Sequence, residues 1–130
     1  MSSRPPPRIS RPPLLTVSRR ATSFPPTARI FLAYVTSPGA TDEEVAGMAT
    51  CFMGWGTFAG KPLVNVHDLS TLPQFRRMGV GKALLQAAVD YARREGCGKV
   101  TLEAYPHNTG AVALYKSFGF DAQARACARR

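Results

Sequence analysis

The fold of this chain is decided by residues 63 to 85, which read Leu63-Val-Asn-Val-His-Asp-Leu-Ser-Thr-Leu-Pro-Gln-Phe-Arg-Arg-Met-Gly-Val-Gly-Lys-Ala-Leu-Leu85. This stretch predicts a buried strand, a short loop and the first turns of an amphipathic helix. Gly79 and Gly81 lie in the turn before the helix, where the absence of a Cβ lets a ligand approach the backbone. Three basic side chains lie at the same point: Arg76, Arg77 and Lys82. Because a helix start also offers free N–H groups and the positive end of a dipole, the stretch predicts an anion-binding turn.

Two familiar phosphate-binding loops are excluded by spacing. A Walker loop needs Gly five residues before its Gly-Lys pair and Ser or Thr after it, whereas Gly81-Lys82 has Arg76 and Ala83 at those positions. A dinucleotide-binding fingerprint needs a third glycine where this chain has Leu84. The remaining pattern, Arg-x-x-Gly-x-Gly, is by itself also compatible with a plain glycine-rich turn between a strand and a helix.

The surrounding residues resemble motif A of the GNAT superfamily of N-acetyltransferases, whose pattern is Asp-Leu-x-Val-x-Pro-x-(Tyr/Phe)-Arg-x-x-Gly-x-Gly-x-x-Leu-Leu. The matching residues are Asp68, Leu69, Pro73, Phe75, Arg76, Gly79, Gly81, Leu84 and Leu85. Thr71 replaces the usual Val, an exchange between β-branched residues that a strand tolerates. A second segment, Asn108-Thr-Gly-Ala-Val-Ala-Leu-Tyr-Lys-Ser-Phe-Gly-Phe120, resembles the family's Asn-x-x-Ala-x-x-Leu-Tyr-x-x-x-Gly-Phe. The resemblance covers roughly residues 44 to 120.

The expected fold class is α/β, with a mixed α+β sheet of the GNAT-like acyl-CoA N-acyltransferase type. Strand-like runs at residues 29–35, 45–58 and 63–71 predict an antiparallel meander. The helix after Gly79 and a strand at 99–105 extend the meander into a right-handed parallel β-α-β unit. The resemblance implies that the two parallel strands splay apart where the cofactor enters.

The resemblance implies acetyl-CoA as co-substrate, and no metal is expected. The backbone of Leu69, Ser70 and Thr71 would hold the pantetheine arm. The pyrophosphate would lie against the turn formed by Arg76, Arg77, Met78, Gly79, Val80, Gly81 and Lys82. Asn108, which is also a good helix N-cap, and Ala111 would lie beside the arm.

Acetyl transfer requires a neutral amine, and a lysine-like amine titrates near 10.4, so a base is needed. His67 precedes Asp68 in the strand where many family members carry a carboxylate, and histidine is a suitable base at neutral pH. A structural role is also open, in which His67 bonds a neighbouring strand and Asp68 braces the loop. Tyr115 is as compatible with a core position as with catalysis by spacing alone. The resemblance implies that Tyr115 donates a proton or hydrogen bond to the departing CoA sulfur.

The net charge of +9 lies in the two ends of the chain. Residues 1–29 carry six arginines and no acid, and residues 125–130 carry three more, whereas residues 30–124 are balanced. A basic binding face on the fold and a specific nucleic-acid partner are therefore not expected, and no apolar run is long enough to cross a membrane. The expected division is a disordered Pro-, Arg- and Ser-rich tail over 1–28, a GNAT-like domain over 29–120 and a basic tail over 121–130.

The tail stands where the family has a first strand and two helices, so the helices that wall the acceptor pocket are expected to be missing. Cys51, Cys97 and Cys127 show no metal-ligand or disulfide spacing, which favours a reducing compartment. A cytoplasmic location is expected rather than organelle targeting, because the prolines of the tail oppose the amphipathic helix of a transit peptide.

The predicted activity is acetyl transfer from acetyl-CoA to a primary amine, on a small molecule or a peptide, by direct attack on the thioester. One alternative is a truncated or degenerate acyl-CoA-binding domain without turnover. Another is an interaction protein whose basic tails are the functional part. The sheet edge near the second motif would be exposed or completed by a second copy of the chain, so a homodimer is one expectation.

Overall fold

The computed structural model describes residues 14–20, 27–57, 60–104, 107–120 and 125–126. These residues form six strands, which are β1 (Leu14–Arg20), β2 (Ala28–Thr36), β3 (Glu44–Gly56), β4 (Lys61–Thr71), β5 (Lys99–Leu102) and β6 (Arg125–Ala126). They also form two α-helices, α1 (Val80–Arg94) and α2 (Thr109–Ser117), and a short 3-10 turn at Pro73–Phe75. The strands make one sheet in sequential order from β1 to β6.

The sheet is an antiparallel meander from β1 to β4, followed by a parallel pair and a final antiparallel strand. The parallel pairing of β4 with β5 runs from Leu63 opposite Lys99 to Val66 opposite Leu102. It stops there, although β4 continues to Thr71. The predicted meander, the crossover through α1 and the splayed strand pair are therefore confirmed.

The core lies between the sheet and α1. One side of α1 is buried, through Val80, Leu84, Leu85, Ala88, Tyr91 and Ala92. The ring of Tyr91 meets Phe31 of β2 edge to face, with 5.8 Å between the centroids. The helix ends where Gly96 turns into the left-handed region at a φ of 70°, with Arg93 and Arg94 in its last turn. No helix of the described residues is long and apolar enough to cross a membrane.

The structure differs from the sequence prediction at both ends. Leu14–Arg20, assigned to the disordered tail, forms β1 along the edge of β2, and its Leu15 and Val17 pack against the core. A composition averaged over 28 residues conceals so short a strand, whose alternating apolar side chains gain burial once β2 offers backbone partners. Arg125–Ala126, assigned to the basic tail, pairs with β5. The rest of both predicted tails lies outside the described residues.

Cys51 of β3 is buried, and burial raises the pKa of its thiol from 9.0 to about 12. The unfolded thiol therefore loses its proton at a lower pH than the folded one. The stabilising contribution is complete below the unfolded pKa and is lost as pH rises through the folded pKa. We expect the free energy of unfolding to fall with a slope of up to about 1.4 kcal/mol per pH unit in that window.

Urea unfolding of the parent chain and of Cys51→Ala at a series of pH values from about 8 to 11 measures this contribution. The difference between the two free energies should shrink as pH rises, because all other titrating groups are shared. A difference that stays constant across the series would contradict the assigned burial of the thiol.

Candidate active site

A cleft of about 760 Å³ opens between the carboxyl end of β4, the turn before α1 and one side of α2. It exists because β5 stops pairing after Leu102 while β4 runs on, so the two helices face a gap in the sheet. The lining residues are Leu69, Ser70, Thr71, Phe75, Arg76, Arg77, Gly79, Val80, Gly81, Lys82, Asn108, Gly110, Ala111, Leu114 and Tyr115. Three separate stretches of sequence are thereby brought to one place.

The turn before α1 carries a run of backbone N–H groups that are free to bind a ligand. The first helical hydrogen bond is donated by the N–H of Ala83 to the carbonyl of Gly79, at 3.0 Å. Within the described chain, the N–H groups of residues 77 to 82 donate to no protein acceptor. Arg77 adopts the left-handed conformation with a φ of 65°, and Gly79 follows with a φ of 79°. Such a backbone forms a concave set of N–H donors, and the dipole of α1 adds positive potential to it.

The two glycines of this turn have different roles. Gly79 is the N-cap of α1 and needs its positive φ of 79°, which costs any residue with a Cβ about 1 kcal/mol or more. Gly81 lies where a Cβ would come within 3.2 Å of Cδ2 of Leu114, so its absence lets α2 pack closely on the start of α1. The sequence predicted only ligand approach for both glycines, and the structure adds these two constraints.

Residues 69 to 71 form the strand side of the cleft. On one edge they pair with β3, where Ala49 lies opposite Leu69 and Gly47 opposite Thr71. On the other edge β5 has already ended, so no described strand pairs with them. Backbone groups on that edge are available to an extended ligand in the way that a strand edge is available to another strand.

His67 is the extra residue of a β-bulge in β4. Thr50 of β3 lies opposite Asp68 and the next residue, Cys51, opposite Val66, which leaves His67 unpaired. Simple alternation places His67 and Asp68 on opposite faces of the sheet, but the bulge leaves both side chains exposed. The ring of His67 meets Phe52 edge to face, at 5.5 Å between the centroids. Both residues therefore lie on the face of the sheet opposite α1.

The structure does not place His67 or Asp68 in the cleft. His67 instead follows directly after Val66, the last residue of β4 that pairs with β5, so it stands where the two strands part. Just before that point the side-chain amide of Asn65 donates to Oγ1 of Thr101 at 2.8 Å and joins the two strands. The cleft and the face that carries His67 thus border the same gap between β4 and β5, on opposite sides of the sheet.

Tyr115 lies on the inner side of α2, where only 9% of its surface is exposed. Its ring packs edge to face against Phe120, at 6.1 Å between the centroids, while the residue still lines the cleft. Burial raises the pKa of the Tyr115 phenol above its ordinary value of 10.0. The hydroxyl therefore keeps its proton at neutral pH and can donate it or a hydrogen bond.

Asn108 has the capping role that the sequence predicted. Its side-chain oxygen accepts a hydrogen bond from the N–H of Ala111 at 3.3 Å, at the start of α2. This bond fixes the first turn of α2 at the mouth of the cleft. Both residues line the cleft.

Three residues of the cleft were not assigned to the site from the sequence, and one residue that was assigned to the cofactor is not part of the lining. Phe75, Gly110 and Leu114 line the cleft, whereas Met78 does not. Phe75 belongs to the first motif and Leu114 to the second, so their positions in the motifs were the available signal. Gly110 offered none. Among the described residues, no group of three or more His, Cys, Asp or Glu side chains could hold a metal ion.

A family model described as the acetyltransferase (GNAT) family matches residues 7–120. An uncharacterised N-acetyltransferase of Methanocaldococcus jannaschii is 32% identical over 58% of this chain and 34% of its own length. A thialysine N-epsilon-acetyltransferase of Caenorhabditis elegans is 33% identical over 60% of this chain and 48% of its own length. The chain thus spans half or less of the length of these two curated relatives.

A solved acetyltransferase structure shares the fold of this chain. The structure of an acetyltransferase from Pyrococcus furiosus superimposes on this chain with a TM-score of 0.63 at 25% identity. The superposition covers 75% of this chain and 61% of that one.

Proposed function

Because the chain belongs to the acetyltransferase (GNAT) family, we propose that it transfers the acetyl group of acetyl-CoA to a primary amine by direct attack. The amine nitrogen forms a bond to the thioester carbonyl carbon, the carbon–sulfur bond breaks, and the nitrogen loses a proton while CoA leaves as its thiol. The observation that carries the proposal is the cleft. In it, N–H groups of residues 77 to 82 that donate to no described acceptor adjoin a strand edge at residues 69 to 71 that no described strand pairs with.

The residues of the cleft fit CoA. The two phosphates of the CoA pyrophosphate can accept hydrogen bonds from the concave set of N–H donors. The nearby cations are Arg76, Arg77 and Lys82, all of which line the cleft. A hydrogen bond to a charged group contributes about 1.5–3 kcal/mol, so a few such bonds suffice for binding on the order of micromolar. The pantetheine arm matches the open edge of residues 69 to 71, since its amides can bond that edge as a strand does. When bound, acetyl-CoA supplies an activated acyl group.

The acid and base of the reaction are proposed on opposite sides of the sheet. Tyr115 faces the cleft and, because its pKa is raised by burial, holds a proton for the leaving sulfur. His67 stands at the gap on the other face and is the proposed base for the incoming amine. Asp68 follows it as an exposed carboxylate that attracts a cationic amine. The amine is therefore proposed to enter from the face opposite the cofactor.

The acceptor is proposed to be a small molecule or a peptide that carries a primary amine. The name of the Caenorhabditis elegans relative indicates an amino-acid side-chain amine as its acceptor. The face around His67 is uncovered among the described residues and includes exposed Phe52 and Met48. Apolar surface beside Asp68 suits an amine that is attached to an aliphatic or aromatic stem.

The first test is calorimetric titration of acetyl-CoA and CoA into the purified chain. It is followed by assay of CoA thiol release with a panel of spermidine, lysine, thialysine and short peptides with free N-termini. We expect saturable binding on the order of micromolar and thiol release that depends on an amine. Binding without release from any amine would instead support an acyl-CoA-binding domain without turnover. A folded chain that binds neither ligand would contradict the proposal.

His67→Gln tests the proposed base. We expect kcat to fall about 10²-fold, as is typical for loss of a general base, with no change in acetyl-CoA affinity because His67 lies outside the cleft. Asp68→Asn serves as the companion variant, in which KM for a cationic amine should rise more than kcat falls. Unchanged kcat in His67→Gln would assign His67 to packing against Phe52.

A further inference from the structure

Gly47 of β3 lies where the structure has no room for a side chain. A Cβ built on Gly47 would come within 2.6 Å of the Ser70 carbonyl oxygen and 2.9 Å of Cγ1 of Val80. Its φ is outside the left-handed region, so the backbone conformation alone does not require glycine here. Close approach of neighbouring atoms is the constraint, and one of those atoms belongs to the backbone of β4.

The two nearest neighbours of Gly47 belong to the two halves of the cleft, and the third, Cδ1 of Leu84 at 3.2 Å, belongs to the core behind it. Ser70 lies in the open strand edge of residues 69 to 71. Val80 is the first residue of α1 and lies within the run of free N–H groups at residues 77 to 82. Both residues also line the cleft. Gly47 thus lies behind the cleft and contacts both of its halves. These are the strand edge, residues 69 to 71, and the N–H turn, residues 77 to 82.

The surrounding backbone holds this contact in place. The N–H of Leu72 donates to the carbonyl of Ala46 at 2.8 Å, which fastens the end of β4 to the residue beside Gly47. The register between β2 and β3 shifts at the same place, where Gly47 lies opposite Ala33 and Val45 opposite Tyr34. Strands held in this way cannot separate locally without breaking hydrogen bonds.

We infer that Gly47 is a positioning residue for the cofactor cleft. By lacking a Cβ, it lets β3 approach the Ser70 carbonyl and Val80 closely, and so sets the distance between the strand edge and the N–H turn. The pantetheine arm and the pyrophosphate of CoA are covalently joined, so their two binding sites must keep one spacing to act together. This inference rests on the proposed function, because it concerns the placement of that same cofactor.

Gly47→Ala tests the inference by calorimetric titration. We expect the Kd for acetyl-CoA, corrected for the folded fraction, to rise at least about tenfold, since small misplacements of binding groups are costly. We expect a smaller rise for 3′-phospho-ADP, which lacks the pantetheine arm and depends on the N–H turn alone. Equal losses for both ligands would overturn the inference, because a shift in spacing affects only the ligand that bridges both sites.

Two control variants separate positioning from stability. Gly54→Ala adds a Cβ on the same strand, at 3.1 Å from Cδ1 of the Leu63 side chain, away from the cleft. Phe31→Leu removes part of the buried contact with Tyr91 and lowers stability from β2. Both should lower the melting temperature and keep the Kd of the parent chain. A loss of affinity in Gly47→Ala no greater than that in Phe31→Leu would overturn the inference.

If Gly47→Ala does not fold, the same substitution is made in a Val80→Ala background and compared with Val80→Ala alone. That background removes the 2.9 Å contact with Cγ1 and keeps the 2.6 Å contact with the Ser70 carbonyl. Weaker acetyl-CoA binding in the double variant supports the inference, and equal binding overturns it. A parent chain that binds no acetyl-CoA would be a failure of the proposed function, which is a separate outcome.

Discussion

Gly81→Glu is expected to raise the Kd for acetyl-CoA by at least about 100-fold. The substitution places a carboxylate at the start of α1, where the N–H groups of residues 77 to 82 donate to no acceptor in the part of the chain that the structure describes. There it occupies the donors intramolecularly and repels the pyrophosphate, and loss of two charge-assisted bonds accounts for an effect of this size. The fold should survive, because an acidic residue in the first turn of a helix is favourable by about 0.3–1 kcal/mol.

Two further variants separate charge from shape in this experiment. Gly81→Gln has nearly the same volume without the charge and meets the same Cδ2 of Leu114, 3.2 Å from the Cβ position. Its Kd should lie between those of the parent chain and of Gly81→Glu. Ala113→Glu adds the same charge at an exposed position of α2 that does not line the cleft, and should bind normally. If Gly81→Glu binds as tightly as Ala113→Glu, the turn is not the pyrophosphate site.

Tyr115→Phe is expected to lower kcat about 100-fold and to leave the Kd for acetyl-CoA within about twofold, as is typical when a general acid is removed. The phenol lines the cleft, and its pKa is raised because the ring is buried. The group therefore stays protonated at every pH below its ordinary value of 10.0, and the rate should show no alkaline loss from this residue below that pH. A thiol titrates near 8.5, so the CoA thiolate is a good leaving group that departs even without a proton donor, which explains why some activity should remain.

Tyr91→Phe is the matched control, since it removes the hydroxyl of another buried tyrosine that lies on α1 and outside the cleft. Its kcat should equal that of the parent chain. The kcat of each variant is measured from the rate of CoA thiol release at saturating amine. Full kcat in Tyr115→Phe would mean that Tyr115 contributes only packing against Phe120.

Several features could be predicted because they depend on residues that are neighbours in sequence. The spacing of Arg76, Gly79 and Gly81 indicated the anion-binding turn, and Asn108 was identified as the cap of α2, which its bond to the N–H of Ala111 confirms. The strand–helix–strand order indicated the parallel crossover that the register of β4 and β5 confirms. The family to which the two motifs pointed is also confirmed, over residues 7–120. Each of these features is a local pattern of turn chemistry, capping or periodicity.

Other features depend on partners that are distant in the chain. β1 forms because the edge of β2 accepts it, and the tail composition gave no sign of that partner. The bulge at His67 arises from the pairing of β4 with β3, so simple alternation along β4 gives the correct face for His67 but the wrong one for Asp68. The tight position of Gly47 is visible only once Ser70 and Val80 are in place.

By itself, then, the sequence determined the order of the elements from β2 to α2, the position of the glycine-rich turn before α1 and the residues that line most of the cleft. The tertiary structure alone decided that Asp68 lies on the same side of the sheet as His67 and why β3 needs a glycine behind the cleft. The physical reason is that hydrogen-bond register and close packing are relations between strands, and a one-residue change in register reverses which face a side chain occupies.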